Sequence, residues 1–145
     1  MDMMKLLMEA QRYSEEMSKV FLSEFQTLFQ EYDLSSKQSL VLNLLKDTER
    51  FTMNEIAQII NATPSAASQF VKVLEEKKYV KRETNKENRR EIFVYLDEKA
   101  LEFFMELEQA ERRVLEKYFM KLSPEDIVVY HDVLKKLSDI VKEEE

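Results

Sequence analysis

With 145 residues, no cysteine, no glycine and one histidine, the chain is sized for one compact domain or two coupled lobes, and it excludes disulfides, thiol sensing and most metal or acid–base chemistry. A formal net charge of −7 argues against a general binder of polyanions. The apolar runs are far too short to span a membrane, and the Met-rich, acid-bearing start lacks signal-peptide form, so no membrane partner and a cytoplasmic location are expected.

From Leu6, apolar residues recur at Ala10, Tyr13, Met17 and Val20, and a neighbouring stripe runs Phe21, Phe25, Leu28, Tyr32. This spacing predicts one helix of about thirty residues. Further on, Thr52 and Glu55 form a capping-box pattern that opens a short helix with Ile56, Ile59 and Ile60 on its apolar face. Ala57 is small enough to let another helix approach closely. Asn61-Ala62-Thr63 follows as a turn. Without glycine, Asn61 is the local residue best suited to the left-handed conformation that ends a helix.

Thr63 then serves as N-cap and Pro64 as first residue of a second helix. Phe70, Val71 and Leu74 supply its core face. Its other face carries Ser65, Ser68, Gln69 and Lys72, side chains that bond base edges or phosphates when a helix N-terminus enters the major groove. In isolation such a face is more often simply solvated. Residues 79–84 and 91–96 are β-rich runs, and the loop between them, NKENRR at 85–90, projects three cations. Helix, turn, helix and basic ribbon in this order describe a winged DNA-reading module over residues 52–96.

Towards the C-terminus, Leu101, Phe104 and Leu107 lead to Leu115, Tyr118 and Leu122. Ser123-Pro124 then caps a last helix bearing Ile127, Tyr130, Leu134, Leu137 and Val141. These long amphipathic helices offer more apolar face than one subunit easily covers, so a two-fold homodimer is expected. Charge is unevenly placed. Residues 1–62 hold six Lys and Arg against ten Asp and Glu, residues 63–93 eight against five, and residues 94–145 eight against fourteen, giving −4, +3 and −6. The positive third coincides with the proposed reading surface.

Over nearly its whole length the sequence resembles the MarR family of bacterial winged-helix regulators. The resemblance is carried by SSKQSLVLNLL at 35–45, by Glu55 to Ala57, by Thr63-Pro64-Ser65, by LEEKKYVKR at 74–82 and by the wing NKENRR, which is similar to the family's D-x-x-D-R-R with both Asp replaced by Asn. It implies a mainly α fold with a small antiparallel β-wing (α+β): one domain over 1–145, with a winged helix-turn-helix lobe at 35–96 and a helical dimerisation lobe from 1–34 and 97–145. It also implies a ligand-responsive repressor that binds double-stranded DNA at an inverted-repeat operator, with a small aromatic or phenolic effector; Arg12 or Tyr13 could hold an aromatic acid. Lys72, Arg82, Lys86, Arg89 and Arg90 are expected to supply phosphate affinity, Arg90 matching the family's minor-groove arginine. Ser65, Ala66, Ser68 and Gln69 are expected to set sequence preference.

Three departures bear on this. Asn88 cannot form an ion pair with Arg90, so a less rigidly held wing is expected. Lys78 and Ala100 stand where the family usually has Gly, and a lysine in a left-handed cap is disfavoured by about 1 kcal/mol. A winged-helix protein-interaction module without DNA binding is the alternative reading, with slight support from Asn85 and Asn88. No catalytic constellation, metal-ligand spacing or cofactor motif is present, so no enzyme activity and no cofactor are expected. His131 reads as a partly exposed helix residue.

Overall fold

The computed structural model describes residues 1–145. Six α-helices and three strands follow in the order α1 (Met3–Tyr32), α2 (Ser36–Thr48), β1 (Arg50–Thr52), α3 (Met53–Ile59), α4 (Pro64–Glu76), β2 (Val80–Thr84), β3 (Ile92–Leu96), α5 (Glu98–Lys117) and α6 (Pro124–Glu144). The chain divides into two compact units, Met1–Leu107 and Glu108–Glu145. The end of α1 and the start of α5 pack into the same core as the reading module.

Side-chain caps set most helix starts. Ser35 with Gln38, and Thr52 with Glu55, make reciprocal capping boxes, with all four hydrogen bonds between 2.8 and 3.1 Å. Each satisfies a backbone donor that would otherwise lack a partner. Thr63 accepts from the Ala66 amide at 3.1 Å and Pro64 occupies the first turn.

Helix ends are more unusual, because no glycine is available. Asp33, Glu49, Asn61 and Lys78 all take positive φ, at 49°, 72°, 50° and 65°. At Asn61 and Lys78 the exit is a Schellman arrangement: Ala62 N–H donates to the Ala57 carbonyl and Tyr79 N–H to the Leu74 carbonyl, both at 2.9 Å. Lysine at 78 thus accepts the disfavoured conformation. Lys78→Gly should raise stability by about 1 kcal/mol in a denaturant titration, since glycine removes the Cβ clash. Ala100, by contrast, is absent from the positive-φ positions and fully buried, so an alanine there needs no special backbone.

The three-stranded antiparallel sheet has the order β1-β3-β2. β1 was not expected from the sequence, since its three residues are too few to show alternation. Register pairs Arg50 with Tyr95 and Tyr95 with Lys81, and it pairs Val94 with both Phe51 and Arg82. Period-two alternation therefore puts Val94, Val80 and Arg82 on the inner face and Phe93, Tyr95 and Lys81 on the outer face.

The core of the first unit is built from Leu28 of α1, Val41, Leu42 and Leu45 of α2, Ile56 of α3, Ala67, Val71 and Leu74 of α4, Val80, Val94 and Phe103. Each large apolar side chain fully buried there contributes roughly 1.5–3 kcal/mol relative to exposure. Ala67, not counted in the expected core face, is fully buried; Phe70, which was, is only half-buried. On α5 the expected Phe104 is buried and Leu107 packs against the core, but Leu101 does not and Phe103 takes its place. Phe103 is fully buried against Phe29 and Tyr32, with ring centroids 5.8 and 5.3 Å away, whereas Leu101 is 55% exposed.

In the second unit α5 ends at Lys117, a 3-10 turn covers Phe119–Lys121, and Ser123 caps α6 by accepting from the Asp126 amide at 3.1 Å. The rings of Phe119 and Tyr130 lie 5.5 Å apart. Leu115, Phe119, Met120, Ile127, Tyr130 and Leu134 line most of a largely apolar groove of about 540 Å³. No residue of α6 is buried. No helix is long and apolar enough to cross a membrane.

Candidate nucleic-acid interface

α4 presents its outer face by burying the opposite one. Ala67, Val71 and Leu74 are fully buried, which leaves Ser65, Ala66, Ser68, Gln69 and Lys72 exposed at helical spacing. All five residues proposed for this face therefore lie together. Close packing on α3 is possible because Ala57, only 8% exposed, adds little bulk where the two helices meet.

The wing loop is held by its two asparagines. The Asn85 side-chain oxygen accepts from the Glu87 amide at 3.0 Å, and that of Asn88 from the Arg90 amide at 3.2 Å. Asn85 Nδ2 also donates to Glu91 Oε1 at 3.1 Å, and backbone bonds Asn85 N–H to Glu91 O and Glu91 N–H to Asn88 O close the loop. An Asx turn needs only an acceptor oxygen, which asparagine supplies as well as aspartate does. The loose wing expected from Asn88 is thus offset by hydrogen bonds, although no carboxylate grips Arg90. Lys86, Arg89 and Arg90 are exposed, and the ion pairs of the module lie elsewhere.

Arg82, expected to supply phosphate affinity, is held in an ion pair. It lies on the inner face of β2 and donates from Nε and Nη2 to the two carboxylate oxygens of Glu75, at 3.2 and 2.8 Å. The hydrogen bonds donated by Arg82 pull the Glu75 carboxyl below its ordinary range, and the same bonds raise Arg82. The pair joins the end of the reading helix to the wing. Its stabilisation is present above the ordinary glutamate range and is lost as pH falls through the lowered value.

Three residues outside the expected set belong to this surface. Lys81 is exposed on the outer sheet face. Arg50 stacks over Phe93, 4.0 Å from guanidinium carbon to ring centroid, and donates to the Tyr95 hydroxyl at 3.3 Å. Asn54, in the first turn of α3, shares a cleft of about 220 Å³ with Asn88 and Arg90. Arg50 was missed because β1, three residues long, is too short to show as a strand in the sequence.

Two further clefts are open to solvent. One of about 520 Å³ is lined by residues including Phe29, Asp33, Gln38 and Lys77. Tyr13 is 62% exposed on α1, and neither it nor Arg12 lines this cleft or the α5–α6 groove. His131 is exposed, with Nδ1 2.9 Å from Asp132 Oδ1. No group of three or more His, Cys, Asp or Glu side chains is placed to hold a metal ion.

Residues 32–91, from the end of α1 to the wing, match the sequence profile of the MarR family. The uncharacterized HTH-type transcriptional regulator YfiV of Bacillus subtilis (strain 168) is 31% identical over 106 residues, which span 73% of this chain and 66% of that relative. The chain belongs to the MarR family. Its match to YfiV covers just under two thirds of that relative's length. The MarR-family fold recurs in solved structures of lower identity. The YusO protein from Bacillus subtilis has a TM-score of 0.74 at 22% identity, covering 96% of this chain and 99% of that one. The transcriptional regulator Tm0710 from Thermotoga maritima has a TM-score of 0.77 at 19% identity, covering 94% and 96%.

Proposed function

We propose that this MarR-family chain is a sequence-specific DNA-binding regulator of transcription, acting in the cytoplasm as a homodimeric, ligand-responsive repressor on an inverted-repeat operator. One observation carries the reading. The exposed polar face of α4 and the free wing cations Lys86, Arg89 and Arg90 fall within the only positive third of an acidic chain. Acidic flanks disfavour other orientations on a polyanion. The intact wing turns favour DNA reading over a wing converted to protein docking.

The dimer is supported by apolar side chains that the single chain leaves in water. On α1, Leu6, Met17 and Val20 are 43–45% exposed; on α6, Val133, Leu137 and Ile140 are 54–56% exposed. A helix with no buried residue is marginal alone and gains its stability by packing. A second copy offers the same stripes, so a two-fold pairing covers them. Two reading helices then enter successive major grooves with half-sites roughly 10 bp apart. No enzymatic step is part of this function. The effector we assign by class only, as a small aromatic or phenolic molecule.

Selection of bound duplexes from a random pool tests the reading, followed by release with candidate effectors. The expected product is an inverted repeat with that spacing. Gln69→Ala should change the preferred half-site by about 1–3 kcal/mol at one base pair while leaving salt dependence intact. Recovery of no duplex, or identical preferences for both proteins, would remove the model.

A further inference from the structure

α1 and the reading helix end against each other. α1 leaves through Asp33, at φ 49° and ψ 50°, and α4 leaves through Lys78 at φ 65°. Each end carries carbonyls without helical partners and the negative pole of its dipole, so two such ends repel unless donors lie between them. The donors come from the exit of α4. The Tyr79 hydroxyl donates to the Tyr32 carbonyl at 2.5 Å. The Lys77 ammonium donates to the Asp33 carbonyl at 3.2 Å and to its carboxylate at 2.9 Å.

The contact is braced on both sides. Tyr79 is 1% exposed, and burial, with the charges of Asp33 and Glu102, holds its phenol above the ordinary range, so it remains a donor. The Tyr32 ring sits against Phe103 and under the Lys99 ammonium, 5.1 Å from the ring centroid. Its own phenol is pushed up to about 12, by burial and then by the hydrogen bond and charge of Glu106. The Glu75–Arg82 pair ties the same end of α4 to the wing.

We propose that Lys77 and Tyr79 are positioning residues that lock the reading helix to α1 and so set the separation of the two reading helices in the dimer. This rests on the dimeric reading given above. Neither residue is placed to touch a base. Each lies at least 12 residues beyond Ser65, about 18 Å along a helix. That distance is also the lever. A pivot of roughly 10° at the C-terminal end moves the N-terminal turn by about 3 Å, close to one base-pair step.

Two measurements on the full chain test the lock. Because the chain has no cysteine, Ser68→Cys gives one spin-label site per protomer, and the label–label distance in the free dimer reports the spread of reading-helix positions. Lys77→Met and Tyr79→Phe should each broaden that distribution about twofold, and Lys77→Arg should restore it. In unlabelled protein, the wild type's preference for the selected spacing over one lengthened by one base pair should fall about fivefold in either variant. A merely structural role would weaken both duplexes equally. Unchanged width and spacing preference in a folded Lys77→Met protein overturn the proposal, even if Tyr79→Phe fails to fold. A dimer that binds no duplex overturns the regulator reading, while the label distances still decide the lock. A protein with no label–label coupling overturns both the dimer and the lock.

Discussion

Arg90→Ala should weaken binding to every duplex, selected or not, by roughly 30- to 150-fold per dimer near physiological salt. Two symmetry-related contacts are lost, each a charge-assisted bond of about 1–1.5 kcal/mol after screening. The slope of log K against log salt should fall by roughly 2, close to one released counterion per arginine. The structure makes this a clean substitution. Asn88 holds the wing through the Arg90 backbone amide, so alanine keeps the turn, and the thermal midpoint should not move. A loss confined to one operator, or an unchanged salt slope, would mean that Arg90 reads sequence or touches nothing. Gln69→Ala is the complement, altering preference while keeping the slope.

Phe103→Ala should destabilise the protein by about 3–5 kcal/mol and lower the thermal midpoint by roughly 10 °C or more. Phe103 is fully buried, and its ring touches those of Phe29, Tyr32 and Phe104 at 5.3–5.8 Å. Truncation leaves a void bordered by α1 and α5, where Tyr32 also receives the Tyr79 hydroxyl at its carbonyl. Calorimetry checks the size of the effect. Leu101→Ala, at a side chain 55% exposed, should shift the midpoint far less. Equal shifts would place the core on the wrong face of α5.

The local elements were legible because the physics that makes them is local. Capping at Thr52 and Thr63, proline at 64 and the left-handed exit at Asn61 depend on residues within five positions of one another, and all occur as expected. β1 was not legible, because its partner β3 lies more than forty residues away. Phe103 was missed in favour of Leu101 on α5 for a related reason. Leu101 and Phe103 are both apolar, and only the position of Phe29 and Tyr32 decides which is buried. The pairing of Arg82 was not legible, since its partner Glu75 becomes a neighbour only once β2 folds back along α4.

By itself, the sequence determined the order of helix, turn, helix and wing, the exposed set on α4 and the positive charge of that third of the chain. Each follows from the periodicity, capping and charge of nearby residues. Only the tertiary structure decided which cations are free, how Asn88 holds the wing and how the reading helix is tied to α1 through Lys77 and Tyr79. Those outcomes depend on which distant groups pack within hydrogen-bonding reach, and the spacing of residues along the chain does not specify that.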